Sequence, residues 1–203
     1  MEASGATLGD GPRYAGPVAG NDAPQIRGST LIGFIEAARR LEGDSLDQLR
    51  SALEADLVRT LFDDLVLASS WFPESTLVGL CEAVFRGPLR EAPAPYAAYL
   101  GRSVDLGWGR VQRALVGFAT PKMLAERAAK LWRREHSHGE LVAEVTGNHA
   151  SLALRGHPYA DTPFSRALIA ELLRYIVSLT RVGVVRQTHA LEAPGALRIE
   201  LEW

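Results

Sequence analysis

Residues 140–155 carry two alternating runs around Gly147-Asn148, and no other stretch limits the fold as tightly. In 140–146, Leu141, Ala143 and Val145 share one face, while Glu140, Val142, Glu144 and Thr146 share the other. In 149–155, Ala150, Leu152 and Leu154 share a face. Successive strand side chains point to opposite sides, so each run buries one side only. A two-residue loop with Gly first suits a type II′ turn. Loop length then sets the register: Thr146 faces His149, Val145 faces Ala150, Ala143 faces Leu152, Leu141 faces Leu154 and Glu140 faces Arg155. A slip of one residue would turn the whole apolar set to the wrong side. Pattern and loop length therefore specify the same hairpin independently.

The rest of the C-terminal third continues the scheme. Asp161-Thr162-Pro163 offers a capping side chain followed by proline at the first helical position. Phe164, Leu168, Leu172, Ile176 and Leu179 follow at helical spacing, widened by Ile169, Leu173 and Val177, and Gly183 is the expected stop. Two strands follow, 184–192 and 196–203, around Ala193-Pro194-Gly195. In the last, Leu197, Ile199, Leu201 and Trp203 alternate with Arg198, Glu200 and Glu202. The pattern of 184–192 does not say which face points inward. The expectation is a four-stranded antiparallel sheet with one face wet and the other under a helix.

Ahead of this cassette the periodicity is helical. Ser29 or Thr30 can cap a helix bearing Leu31, Phe34, Ile35, Ala38 and Leu41, stopped by Gly43. Ser45 with Gln48 has the spacing of a capping box and opens a second helix carrying Leu46, Leu49, Leu53, Leu57 and Leu61. Asp63-Asp64 then sits where a helix C-terminus disfavours anions. Trp71-Phe72-Pro73 starts a third, with Leu77, Leu80, Cys81, Val84 and Phe85 on one stripe and Gly87-Pro88 as its stop. Tyr96, Tyr99, Leu100 and Val104 mark a fourth, which 111–118 continues past Gly107 and Gly109. Thr120-Pro121 caps a fifth, with Leu124, Ala128, Leu131 and Trp132 inward. The fold class is thus α+β: about five N-terminal helices packed on a C-terminal β-β-α-β-β four-stranded antiparallel sheet. The division is a disordered arm over 1–26 and one α+β domain over 27–203, helical over 28–138 and sheet cassette over 140–203.

Composition excludes several function classes. With 203 residues, 47% apolar and 23% charged, the chain can build one sizeable core. A net charge of −2 leaves no footprint for nucleic acid or an anionic membrane. One Cys allows no intramolecular disulfide, which fits a reducing compartment. Residues 1–24 are small, polar and rich in Gly and Pro, without a basic start and apolar run. A cytoplasmic protein with no signal peptide and no membrane span is expected. There is no G-x-S-x-G, no G-x-x-x-x-G-K-[ST], no G-x-G-x-x-G and no internal repeat.

Several short motifs point to a family. Ser70-Trp71-Phe72-Pro73, Leu100-Gly101-Arg102, Thr120-Pro121 and Leu131-Trp132-Arg133-Arg134 stand in an order that closes with the hairpin, the helix and Trp203. Over residues 28–203 this resembles a bacterial domain-of-unknown-function family expanded into many paralogues in gliding soil bacteria. That family is similar to the 4-vinyl reductase domain, the haem nitric-oxide-binding domain and the TRAPP vesicle-tethering subunits. The resemblance implies helices followed by an antiparallel sheet, around an interior that can hold a small molecule, a haem or an acyl chain. Such domains often carry two Cys in the last hairpin; those positions fall near His189 and Leu197, and Leu cannot ligate a metal. The Tyr-x-Ser-x-Arg set of the haem-binding relatives is absent, and none of the five His lies in a clear helix interior. No haem, other cofactor or metal is expected.

Candidate site residues follow from chemistry and from the resemblance. Trp71, Tyr99, Phe118 and Trp132 offer apolar area with polar handles and could line a pocket, or be plain core. His189, beside a Cys position of the resemblance, could point inward or be a half-exposed hairpin residue. His136-x-His138 lacks an adjacent third ligand and reads as a solvated helix terminus. Cys81, between Leu80 and Val84, reads as a small buried hydrophobe. Arg127, Lys130, Arg133 and Arg134, diluted by Glu126 and Glu135, read as a solvated basic face. No paired acid–base constellation can be assembled, so an enzyme is not expected. The function expected is a non-enzymatic sensory or small-molecule-binding domain with an apolar pocket. The alternative is a dimerising interaction or scaffold module without a ligand.

Overall fold

A three-residue strand, β1 (Gln25–Arg27), brings the chain into the fold by pairing antiparallel with β2 (Trp71–Pro73), so that Ile26 lies opposite Phe72. The structure, a computed structural model, describes residues 22–203 except Arg181 and Val184, and leaves aside the side chains of Arg110 and Val111. Most of the expected N-terminal arm, residues 1–21, lies outside the described residues. Its last two positions are strand, and Gln25 and Ile26 are buried.

Eight α-helices precede the sheet among the described residues, where periodicity predicts about five. They are α1 (Gly28–Ala38), α2 (Ser45–Ala52), α3 (Ala55–Val58), α4 (Glu74–Arg86), α5 (Pro93–Gly107), α6 (Arg110–Phe118), α7 (Pro121–Ala125) and α8 (Ala128–Glu135). The difference lies in breaks within long apolar stripes. The second expected helix stops where Leu53 turns extended, and after α3 it closes with a π turn at Arg59–Asp63. The fourth is interrupted at Trp108-Gly109, the fifth at Glu126-Arg127. Spacing alone does not register such breaks, because each resumes the same stripe. Two caps also differ: Ser45 is already helical with Asp44 before it, and α1 starts after Arg27. The Ser29 and Thr30 hydroxyls donate instead to Glu135 Oε2, at 2.7 and 2.9 Å. Thr120 does cap α7, its Oγ1 accepting from the Met123 amide.

The sheet is as the alternation specifies. β3 (Glu140–Thr146) pairs with β4 (His149–Arg155) in the expected register, from Glu140 opposite Arg155 to Thr146 opposite His149. Gly147 takes φ +60° while Asn148 does not enter positive φ, as a type II′ turn requires. After a 3₁₀ turn at Pro158–Asp161 comes α9 (Pro163–Ser178), capped by Thr162 Oγ1, which accepts from the Ser165 amide. β5 (Arg186–Ala193) and β6 (Ala196–Glu202) complete an antiparallel sheet of order β3-β4-β6-β5. Trp203 is held against the first hairpin: its amide donates to the Asn148 carbonyl, and Asn148 Nδ2 donates to the Trp203 carbonyl. The ambiguous strand, β5, is exposed along nearly its whole length.

Two apolar clusters result. One joins Leu31, Phe34, Leu77, Leu80, Cys81 and Leu100 within the helical half. The other joins Leu141, Leu152, Leu154, Ile169, Ile199 and Leu201 between the sheet, α8 and α9. No helix among the described residues is long and apolar enough to cross a membrane.

A cavity and a buried carboxylate–imidazole cluster

The two clusters do not fuse. Between them lies a partly open cavity of about 430 Å³. The helical half contributes Phe34, Leu77 and Val104 to its wall, and the sheet half contributes Leu141, Leu152 and Ile169. Leu115, Met123 and Leu131, from α6, α7 and α8, also line it, although each is substantially exposed. Its few polar groups include Glu74, Glu135 and His136.

Glu74 opens α4, where a carboxylate complements the helix dipole, and its amide donates to the Pro24 carbonyl at 2.8 Å. His136 ends α8; its amide donates to the Trp132 carbonyl, and its ring lies flat on the Trp132 indole with centroids 3.9 Å apart. His157 follows β4, its amide donating to the Gly195 carbonyl, and is wholly buried. Gly139, at φ +80°, leaves room for that ring: a Cβ there would sit 3.0 Å from His157 Cδ2. His136 Nδ1 lies 3.4 Å from Glu74 Oε1, and His157 Nε2 lies 3.2 Å from Glu74 Oε2. These are hydrogen-bonding distances, yet neither N–H is aligned with its contact, and both nitrogens of His157 are buried without a hydrogen-bond partner. Burial pushes the Glu74 carboxyl up, but the two imidazoles outweigh it and hold it down at about 2. Glu135 is likewise held below the usual carboxylate range: burial raises it, and the Ser29 hydroxyl, the Arg134 guanidinium and the Thr30 hydroxyl more than offset that.

Of the five expected pocket residues, Trp132 is in the cavity wall and nearly buried. Its Nε1 donates to the His138 carbonyl at 2.9 Å. The other four are placed elsewhere. Trp71 is half-buried beneath the Arg27 guanidinium, which lies 4.3 Å from the ring centroid. Tyr99 is buried in the helical cluster, its hydroxyl donating to the Phe34 carbonyl. Phe118, at the end of α6, is 73% exposed. His189 lies opposite Ile199 on the edge strand β5 and is exposed. Aromatic type does not say whether a helix face meets the core or the gap beside it.

His136 corrects the expectation of a solvated helix terminus: its side chain is only 16% exposed and belongs to the Glu74–His157 cluster. Glu74 and His157 escaped sequence reading altogether. An acidic residue at a helix start and a histidine before proline are ordinary features, and only the β1–β2 pairing and the end of α8 bring them together. Cys81 is buried as expected, and burial pushes its thiol up, away from nucleophilic use. Arg127, Lys130, Arg133 and Arg134 are exposed, the solvated face that their pattern indicates.

No family model matches the chain, and no curated protein matches it. Solved structures do. A chain from a study of haem redox potential and protein-induced porphyrin distortion superposes with a TM-score of 0.57 at 8% identity, covering 88% of this chain and 100% of that one. A second, from a study of haem distortion in the H-NOX family, gives 0.56 at 9% identity over 88% and 95%. An H-NOX protein from K. algicida gives 0.54 at 9% identity over 87% and 96%. At such identities the likeness is one of fold: this chain is folded as the H-NOX domains are.

Proposed function

We propose that this is a non-enzymatic domain that takes a small apolar molecule into the cavity between its helical half and its sheet. The observation that carries the reading is the cavity itself, about 430 Å³ and walled chiefly by Leu, Ile, Val and Phe side chains. Its size falls in the range of small-molecule sites. The H-NOX-like fold supports a sensory role, with occupancy read by a partner; fold alone does not assign function.

The lining does not fit a haem. The one imidazole among the described lining residues, His136, is stacked on Trp132 with its Nδ1 turned to Glu74. Cys81 is outside the lining.

The test is native mass spectrometry of the purified chain, with titration by an anilinonaphthalene sulfonate dye. One dye per chain is expected. Ala143→Phe, which fills the cavity from β3, should abolish that binding while the protein stays folded. Ala143→Phe protein that still binds one dye per chain, or wild type that binds none and yields no organic extract, would remove the proposal.

A second reading, self-association, is favoured by Leu115 at 65% and Met123 at 43% exposure along α6 and α7. A solution mass of one 22.0 kDa chain at micromolar concentration would set it aside.

A further inference from the structure

We propose that Glu74, His136 and His157 form a binding site for a divalent transition-metal ion of the zinc class, with three protein ligands and one open position. Two imidazoles and one carboxylate are a known ligand set for zinc, which takes four positions in a tetrahedron. One ligand atom from each residue can be chosen so that all lie within 4.8 Å of one another. With metal–ligand lengths of about 2.0–2.1 Å, a tetrahedron has edges of about 3.3–3.4 Å. Glu74 Oε1 is 3.4 Å from His136 Nδ1 and Glu74 Oε2 is 3.2 Å from His157 Nε2, so the two imidazoles flank the two oxygens of one carboxylate at separations close to such an edge.

The plain alternative is a buried hydrogen-bonded ion pair, and two observations weigh against it. The contacts have the length of hydrogen bonds without their direction, leaving His136 Nδ1, His157 Nε2 and Glu74 Oε2 buried and unpartnered. A buried polar group without a partner is destabilising, and a charged one more so. A cation at the centre satisfies all three at once, through lone pairs that need no aligned proton. Glu74 and His157 are 3% and 0% exposed, so water cannot do the same freely. The site is also preorganised. Each ligand's backbone amide is hydrogen-bonded, to Pro24, Trp132 and Gly195 respectively, and the His136 ring is braced by the Trp132 indole.

Two of the three ligands, Glu74 and His136, line the cavity, which puts the metal in its wall. The site stands without the small-molecule reading, since its ligand atoms are the polar ends of three side chains and need nothing bound in the cavity.

The experiment is titration of chelator-treated full-length chain with zinc alone, by calorimetry, and with cobalt(II) as a spectroscopic probe. One ion per chain is expected, with the visible absorption of tetrahedral cobalt and a melting temperature that rises with zinc. Glu74→Gln, close in shape to the original, should weaken binding by more than the roughly 10–100-fold that loss of an outer hydrogen-bond partner causes. His157→Ala should do the same, while His149→Ala, on the exposed face of β4, should change nothing. Ala143→Phe should bind zinc as wild type does even where it excludes the dye, so the two proposals fail separately. Wild type that binds less than one ion per chain, or binding that Glu74→Gln leaves intact or that His149→Ala abolishes, would overturn the site. The wild-type cobalt spectrum decides the matter even if a ligand variant does not fold.

Discussion

Gly33 is where α1 and α5 come closest, and it shows how one missing methyl group can fix a helix pair. A Cβ there would lie 2.3 Å from the Ser103 carbonyl oxygen and 2.6 Å from the Gly107 nitrogen, both backbone atoms that cannot swing aside. Next to it, Tyr99 donates to the Phe34 carbonyl across the same interface. Gly33→Ala should therefore destabilise by at least the ~1–3 kcal/mol typical of overpacking, despite alanine's better helix propensity. Gly109, the N-cap of α6, with nothing within 4 Å of a built Cβ and negative φ, is the control, and Gly109→Ala should cost only about 0.5 kcal/mol, the preference of an N-cap for glycine over alanine. Urea unfolding of the two variants checks the contrast; equal midpoints would mean that α1 and α5 are not held this close.

Among elements, α9 carries the connection from the first hairpin to the second. Its start is fixed three times over: Thr162 Oγ1 accepts from the Ser165 amide, Pro163 supplies the first helical φ, and Arg166 Nη1 donates to the Ala160 and Asp161 carbonyls. Asp161, in turn, accepts from the Gly195 amide in the second hairpin turn, so the helix start and the β5–β6 turn are tied together. Thr162→Ala should cost about 0.5–2 kcal/mol, as cap losses do, and should speed hydrogen exchange in the first turn of α9 before it does so in the sheet. Uniform loosening across the sheet would show that the cap is not local.

For the molecule as a whole, the decisive relation is that of two apolar clusters facing each other across a cavity. Tyr175 makes a polar tie across this gap: from α9 its hydroxyl donates to Asp105 on α5 at 2.9 Å. Tyr175→Phe should destabilise by about 0.5–1.5 kcal/mol, the net worth of one such bond. Alkaline pH should act at the same joint. Burial, and then the Asp105 carboxylate, push the Tyr175 hydroxyl up to about 12, and burial pushes Tyr96 and Tyr99 well above the usual phenol range. A tyrosine whose folded pKa is raised contributes stability that is whole below its unfolded value near 10 and is lost as pH rises through the folded value. Unfolding is therefore expected to set in between pH 10 and about 12, with the phenolate absorbance of Tyr96, Tyr99 and Tyr175 appearing together with loss of helical circular dichroism. More phenolates ahead of unfolding than the chain's other two tyrosines, Tyr14 and Tyr159, can supply would contradict the burial of these rings.

Local order was legible in the sequence. A period of two, a glycine-first turn and an apolar stripe are set by neighbours along the chain, and they specify the 140–155 hairpin, its register, α9 and the alternation that ends at Trp203. What depended on tertiary structure was decided by distance in space. The breaks in the helical stripes follow from how each segment meets its neighbours. Whether Trp132 or Tyr99 faces the cavity depends on how far the two clusters stand apart, and periodicity carries no such length. Glu74, His136 and His157 come from a helix start, a helix end and a loop, three places where charged and polar residues are common for local reasons. Only the pairing of β1 with β2, and the bridge from Ile26 to His136, bring two of them to one point, and the loop after β4 adds the third. Sequence spacing sets what repeats along the chain, while convergence of distant side chains is a property of packing.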